Sequence, residues 1–317
     1  DVCSSDLLAL KKPPHPDWPY PLILDQIKAR QKAKTKIPAW LEHEDVTFPA
    51  SDTLEQASSQ ATARYKASLF KGKNVIDLTG GAGIDSWAML ENFETATIID
   101  SDQNASRRIE HNMQILNNKT VSVENTTAED FVASMSQYDL AIIDPQRRNQ
   151  SRKGVYKLEE CSPDILTLLP SIKAKTILVK TSPMLDIDQG IKQLGCVRAV
   201  HVIEWNNECK ELLFTLTPES QTDEIPITAV KINNEGIPLN SLTFTRQDEQ
   251  NASLSITEPE KYLYEPGPAF MKAGGYKIMA QHHNATKIHP HTHLYTSSHL
   301  INDFPGRSFE IIDTYPA

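Results

Sequence analysis

The sequence predicts an α/β fold: a doubly wound parallel sheet ending in a β-hairpin, preceded by a helical segment and followed by a smaller α+β module. Three observations carry this. Asn74-Val75-Ile76-Asp77-Leu78 leads into Thr79-Gly80-Gly81-Ala82-Gly83 and then an amphipathic run from Ile84 to Leu90, the strand, glycine turn and helix of a nucleotide site. Strand-length apolar runs then alternate with helical patterns, which implies right-handed crossovers between parallel strands. After Thr217-Pro218-Glu219-Ser220 the texture changes to short strands separated by proline and glycine, as in a second, smaller module.

Taken in order, residues 7–21 are proline-rich and irregular. Gln26 to Lys36 carries Lys28, Arg30, Lys32, Lys34 and Lys36 with no acid among them; this is either a solvated helix face or a phosphate-contacting patch. Ile37-Pro38-Ala39-Trp40 breaks that helix. Leu54 to Phe70 reads as one amphipathic helix with Leu54, Ala57, Ala61, Tyr65 and Leu69 on a face, N-capped by Asp52 with Glu55 in a capping-box position. Strands are predicted at 74–78, 96–100, 121–123, 139–143 and 176–180, and helices at 84–91, 103–116, 127–135 and 162–170. Val197–Glu204 and Lys210–Thr217 form the hairpin. Short strands follow at 225–232, 242–245 and 253–257, with a helix from Phe270 to Ala280 interrupted at Gly274-Gly275. The expected divisions are therefore 1–70, 71–222 and 223–317.

Composition sets the bounds. A chain of 317 residues, 39% hydrophobic, holds one large domain or two ordinary ones. No apolar run approaches the roughly 18 residues of a membrane span, and the polar start Asp1 to Asp6 is not a signal peptide. That start lacks a Met, and the chain stops just after the strand-like Phe309-Glu310-Ile311-Ile312, so truncation is expected at both ends. Four scattered cysteines without a C-x-x-C pair point to a reducing cytoplasm. The net charge of −9 argues against nucleic acid bound along the whole surface; such a partner needs a local basic patch.

The glycine turn lacks the third glycine of a dinucleotide fingerprint, since Gly81-x-Gly83 is followed by Ser86. It instead has Asp77 at the strand end and Asp100 closing Ala96-Thr97-Ile98-Ile99, where a carboxylate can accept both ribose hydroxyls. An acid near the loop suits a cationic amino-acid moiety better than a pyrophosphate. Here the sequence resembles the class I S-adenosylmethionine-dependent methyltransferases, and the hairpin at 197–217 is the usual end of their Rossmann-like sheet. The resemblance implies S-adenosylmethionine held by Asp77, Gly80, Gly81, Gly83 and Asp100. The adenine-recognising acid aligns with Thr127, so Glu129 or a backbone group takes that role.

Ile143-Asp144-Pro145-Gln146-Arg147-Arg148-Asn149 resembles the (Asp/Asn)-Pro-Pro-(aromatic) motif of amino-group methyltransferases. There the acid and a backbone carbonyl orient an exocyclic amine toward the methyl group, and positioning supplies most of the catalysis. Gln146 and Arg147 depart from the motif, which leaves room for Asp-Pro-x-Arg variants acting on RNA. Arg147 and Arg148 either pair with acids such as Glu159 or touch phosphate. Lys180 and Ser182, in Lys180-Thr181-Ser182-Pro183, are expected beside Asp144 and Pro145. No cysteine stands at either strand end, which disfavours a thiolate route to pyrimidine C5; Cys161 and Cys209 read as packed thiols. His289, His291 and His293 alternate as if along one strand face, a pattern open to zinc, though Pro290 and the absence of nearby Cys lead us to expect no metal.

Together with Leu54–Lys66, Ser182–Ile187, Glu208–Leu213 and His293–Ser297, these motifs resemble the bacterial THUMP-like-domain class I methyltransferases of Bacteroidetes type. The resemblance spans nearly the whole chain from Gln26. It implies a methyltransferase domain followed by a small ferredoxin-like module near 268–312, the THUMP-like segment being absent, and RNA, tRNA above all, methylated at a base nitrogen. In that reading Lys28, Arg30 and Lys32 track the RNA backbone. The alternatives are a small-molecule or protein methyltransferase, favoured by the acidic charge, and a non-catalytic RNA-binding protein with a degenerate pocket, suggested by Gln146 and Thr127.

Overall fold

The computed structural model describes residues 15–147, 157–218 and 224–315. They fall into two compact units, one running to Ile142 and including Ser171–Ala174, the other holding Ile143–Pro170 and the chain from Lys175 onward.

The first unit begins with α1 (Tyr20–Lys36), a 3-10 turn (Pro38–Glu42), α2 (Ser51–Gln56) and α3 (Gln60–Ser68). There follow β1 (Gly72–Asp77), α4 (Ile84–Met89), β2 (Phe93–Asp100), α5 (Gln103–Leu116), β3 (Thr120–Asn125), α6 (Ala128–Val132) and β4 (Tyr138–Ile143). β1 pairs in parallel with β2 on one side and β4 on the other, and β3 extends from β2. The apolar runs Val75-Ile76, Ile98-Ile99 and Leu140 to Ile143 are buried, as continuous hydrophobic strands covered on both faces should be. β3, with alternating exposure, is the outer strand of this set. α5 shows why its sequence is helical: Asp102 accepts from the Asn104 and Ala105 N–H groups as N-cap, and Ala105, Ile109 and Met113 bury one stripe. Since the chain moves outward from β1 to β3 and returns to β1's other flank as β4, the strand order reverses at β1, where open α/β sheets bind ligands beyond the strand ends.

The expected helix from Leu54 to Phe70 is two helices. It breaks at Ala57, and Ser59, not Asp52, is the capping residue: its hydroxyl accepts from Thr62 N in a capping box. The apolar periodicity runs through the break unchanged, so periodicity alone could not reveal it. The basic ladder of α1 also has internal partners. Arg30 donates to the carbonyls of Glu44 (2.6 Å) and Val46 (2.8 Å) and lies over Phe48, while Lys32 pairs with Glu55. These contacts tie α1 to the segment leading into α2, so Arg30 and Lys32 are not a row of free cations.

In the second unit come β5 (Gln146–Arg147), β6 (Cys161–Ser162), α7 (Ile165–Leu168), β7 (Ala174–Thr181), α8 (Ile187–Leu194), β8 (Val197–Trp205), β9 (Glu208–Leu216), β10 (Ile227–Ile232) and β11 (Pro238–Phe244). β9 lies antiparallel between β7 and β8, the expected hairpin, and turns through Asn206 and Asn207 at φ 53° and 58°, the left-handed pair of a tight hairpin. Residues 227–244, expected within the C-terminal module, continue this sheet: β10 runs parallel to β8 and β11 antiparallel to β10. After α9 (Arg246–Asn251), a four-stranded antiparallel sheet forms from β12 (Tyr262–Pro266), β13 (Thr286–Lys287), β14 (Tyr295–Ser297) and β15 (Gly306–Glu310). It is accompanied by α10 (Pro268–Ala273) and α11 (Tyr276–His282), which part at Gly274-Gly275 as expected. The expected strand at 253–257 is a single bridge, Ile256 to Lys287. Among the described residues no helix is long and apolar enough to cross a membrane.

A pH dependence follows from β8. Burial pushes the His201 imidazole down to about 4, so the folded chain keeps it neutral where an unfolded chain, with an ordinary value near 6.5, takes up a proton. The stability from the neutral ring is complete above about pH 6.5 and is lost as the pH falls toward 4, with no further loss below. Chemical denaturation from pH 7 to 4 is therefore expected to show a steeper fall for the native chain than for His201→Phe; equal slopes would exclude His201 as a cause.

Candidate functional site

In the first unit the site is built around the turn after β1. Asp77, 4% exposed, does not face outward. Its Oδ1 accepts from Thr79 N at 2.9 Å and its Oδ2 from the Ser86 hydroxyl at 2.6 Å, so this carboxylate clamps the start of the glycine turn to the first turns of α4. Gly80 is packed, since a Cβ there would stand 2.7 Å from Ile98 Cγ2. Gly81 is different: φ is +56° and a Cβ would meet only the Thr79 carbonyl, at 3.7 Å. Glycine is needed there for the left-handed backbone, and the turn's outer side is open. Gly83, at φ +79°, opens α4.

Asp100, at the end of β2, accepts from Gly81 N at 2.7 Å with Oδ2 and from Asp102 N at 2.8 Å with Oδ1. A carboxylate offers about four acceptor positions, so both oxygens keep capacity for a pair of ribose hydroxyls. Arg108, from α5, reaches the Gly81 carbonyl at 3.4 Å. The open cradle over Gly81 and the remaining acceptor capacity of Asp100 fit an adenosyl group. Glu129 stands exposed in the first turn of α6, and the Thr127 hydroxyl is engaged with Asp130 as that helix's cap.

Sequence reasoning missed one cluster beside this turn. Lys66 of α3 is fully buried and pairs with Asp85 Oδ1 at 3.0 Å. Its ammonium also donates to the Ser58 hydroxyl at 2.8 Å, and Ser58 donates to Asp85 Oδ2 at 2.7 Å. Asp85 comes two residues after Gly83, and Ser58 lies in the break between α2 and α3. The signal was an acid directly after a glycine turn, but its cation is 19 positions upstream (85 − 66) and looks like an ordinary helical lysine.

In the second unit Asp144 and Pro145 directly follow β4, whose Ile142 is the register partner of Asp77. Lys180, 8% exposed on β7, pairs with Asp144 Oδ2 at 2.5 Å. The structure thus brings these two expected residues together. Ser182 comes two residues later and accepts from Met184 N at 3.2 Å, turning the chain out of the strand. Arg147 lies in β5, opposite Cys161; Arg148 falls outside the described residues. Glu159 accepts from Gln193 Nε2 at 2.6 Å.

Cys209, on β9, is pushed up to about 12, chiefly by burial and then by the nearby carboxylates Glu204 and Glu211, against Lys272. It is a protonated thiol at neutral pH and a poor nucleophile. Cys161 is fully buried. The three histidines do not share a strand face. His289 to His293 form a turn, with Thr292 N donating to His289 O, and His293 stacks on Tyr276 at 4.0 Å. Among the described residues no group of three or more His, Cys, Asp or Glu could hold a metal ion.

Comparison with known proteins gives three findings. A ferredoxin-like domain family matches residues 262–305, the span of β12 through β14. Uncharacterized S-adenosylmethionine-dependent methyltransferases of Mycobacterium tuberculosis, from strains CDC 1551 and H37Rv, are each 21% identical over 262 residues, which is 83% of this chain and 68% of the relative. The crystal structure of a presumed methyltransferase from Porphyromonas gingivalis W83 matches with a TM-score of 0.85 at 29% identity, covering 98% of this chain and 79% of that one.

Proposed function

We propose that this chain, an S-adenosylmethionine-dependent methyltransferase, methylates a base nitrogen of an RNA, with tRNA the first class to try. The observation that carries the acceptor chemistry is Asp144-Pro145 following β4, with Lys180 fixing one carboxylate oxygen. When bound, the cofactor supplies a methyl group already activated by its sulfonium. What remains for the protein is orientation. Asp144 accepts an N–H from the acceptor amine, the Pro145 carbonyl accepts the other, and the nitrogen lone pair is thereby aimed. Lys180 holds the carboxylate in its ion pair and stops it rotating. Ser182 shapes the turn beside it.

On the cofactor side, Asp100 takes the ribose, Gly81 lets the backbone approach, Gly80 and Gly83 pack the turn against its neighbours Ile98, Ile109 and Met113, Asp77 holds the turn, and Glu129 is the side chain offered to the adenine. Backbone phosphate contacts are assigned to Arg147 and Arg148, and Arg30 and Lys32 are left out because they have internal partners. The THUMP-type origin suggested by the motifs agrees with an RNA acceptor and with the ferredoxin-like module at 262–305.

Two measurements test this. Asp100→Ala is expected to weaken S-adenosylmethionine binding by about 1–3 kcal/mol, because a charge-assisted hydrogen-bond pair is lost; wild-type affinity by calorimetry would move the ribose elsewhere. Incubation with methyl-labelled cofactor and RNA from a strain lacking the protein is expected to label RNA. Label found only in protein or small molecules would overturn the RNA acceptor and favour the reading suggested by the net charge of −9.

A further inference from the structure

Met184 leaves 68% of its surface exposed and has no role among those assigned so far. A single exposed apolar side chain is ordinary; what sets this one apart is where the chain holds it and how firmly. β7 carries Lys180, the partner of Asp144, and ends at Thr181. The next four residues form a tight turn. Leu185 N donates to the Ser182 carbonyl at 3.1 Å, and Met184 N donates to the Ser182 hydroxyl at 3.2 Å. Pro183 stands at the second position, where its fixed φ suits such a turn. Just beyond, Leu185 and Ile187 are buried, and Asp186 caps α8 through Gln189 N. The turn is thus pinned on both sides. Met184 is held at its tip, four residues after Lys180, at the carboxyl end of β7, where ligands of such sheets collect.

The acceptor reading lacks a part that this side chain can supply. Asp144 and the Pro145 carbonyl take the edge of an amine-bearing ring, but a flat ring also needs cover on a face to exclude water and stop it rocking. In the (Asp/Asn)-Pro-Pro-(aromatic) motif the aromatic gives that cover. Here the sequence is Asp144-Pro145-Gln146-Arg147, and Arg147 pairs in β5 with Cys161. Among the described large apolar side chains that are exposed, Met184 is the one that follows β7. Methionine is unbranched and polarizable, and its thioether makes favourable contacts with aromatic rings.

We propose that Met184 is a specificity residue whose thioether lies against the face of the acceptor ring, in place of the motif's aromatic. The proposal rests on the acceptor reading above and narrows it. The methylated nitrogen belongs to a flat heteroaromatic base, and an aliphatic amine such as a lysine side chain is a poor acceptor.

The test measures initial rates of methyl transfer from labelled S-adenosylmethionine against the concentration of RNA from a strain lacking the protein. Met184→Ala is expected to raise the half-saturating RNA concentration about fivefold, the scale of one sulfur–aromatic contact. Its kcat and cofactor affinity should stay near wild type, because uniform binding alone is lost. The ratio between variant and wild type should be the same at low and high salt, unlike the loss of a phosphate contact. Met184→Phe should return half-saturation to within about twofold of wild type, since a phenyl ring covers a base face as the motif's aromatic does. Both variants should melt with the wild type, because the side chain is exposed. Label in RNA with Met184→Ala unchanged, or a loss that Met184→Phe does not recover, or one that falls on kcat or cofactor affinity instead, would overturn this proposal alone. A wild type that puts no label into RNA would overturn the RNA reading, and this proposal with it.

Discussion

Lys66→Ala is expected to lower the unfolding free energy of the chain by about 3–5 kcal/mol, the usual penalty for removing one partner of a buried ion pair. Lys66 is fully buried, and its ammonium sits between Asp85 Oδ1 at 3.0 Å and the Ser58 hydroxyl at 2.8 Å. Truncation leaves the largely buried Asp85 carboxylate without its cation, and also leaves the volume of a long side chain to fill. The fall in melting temperature should be on the order of 10 °C. A triple replacement, Lys66→Met with Asp85→Leu and Ser58→Ala, removes the charges together and should recover most of that loss. If Lys66→Ala melted within about 2 °C of wild type, the pair would not be the enclosed contact described.

The second large effect concerns turnover. Asp144→Asn should slow methyl transfer by about a hundredfold, the scale of misplacing a reacting group by roughly an ångström, with cofactor affinity nearly unchanged. Asparagine preserves the shape of the side chain but removes the charge that Lys180 holds at 2.5 Å. With its amide oxygen turned to Lys180, it presents its NH₂ group where the acceptor amine needs an oxygen. The separation of kcat from cofactor affinity distinguishes lost orientation from a damaged fold. Turnover within about threefold of wild type, far from the hundredfold scale, would remove Asp144 from the acceptor's surroundings.

How much of this was legible depended on whether the deciding contact was local. Strands such as Val75-Ile76 and Ala141-Ile142-Ile143 were readable because burial on both faces demands continuous apolar runs. The glycine turn was readable because backbone geometry dictates residue type there. The division of the helix at Ala57 was not, because the apolar period continues across it, and the partners that Ser58 finds there, Lys66 and Asp85, are brought to it only by the fold. The ladder on α1 misled for the same reason: the carbonyls that Arg30 binds belong to Glu44 and Val46, and backbone atoms leave no trace in a side-chain pattern. Asp77 was read as a ligand-facing acid, whereas its oxygens build the turn. A period of two suggested a strand through His289, His291 and His293, but Pro290 cannot donate to a strand ladder and the chain turns there.

The environment of Cys209 has a consequence for redox chemistry. A thiol held near 12 is present as thiolate in only about one molecule in 10⁵ at pH 7, and the thiolate is the form that attacks disulfides, peroxides and alkylating agents. Cys161 is enclosed and bonded through its sulfur to the Lys157 carbonyl. Attack by these two side chains on disulfides and peroxides is therefore slow, one because it is held as the thiol and the other because it is enclosed. Cysteine spacing suggested a reducing compartment, and burial with two neighbouring carboxylates lowers the reactivity of the Cys209 thiol independently of that setting.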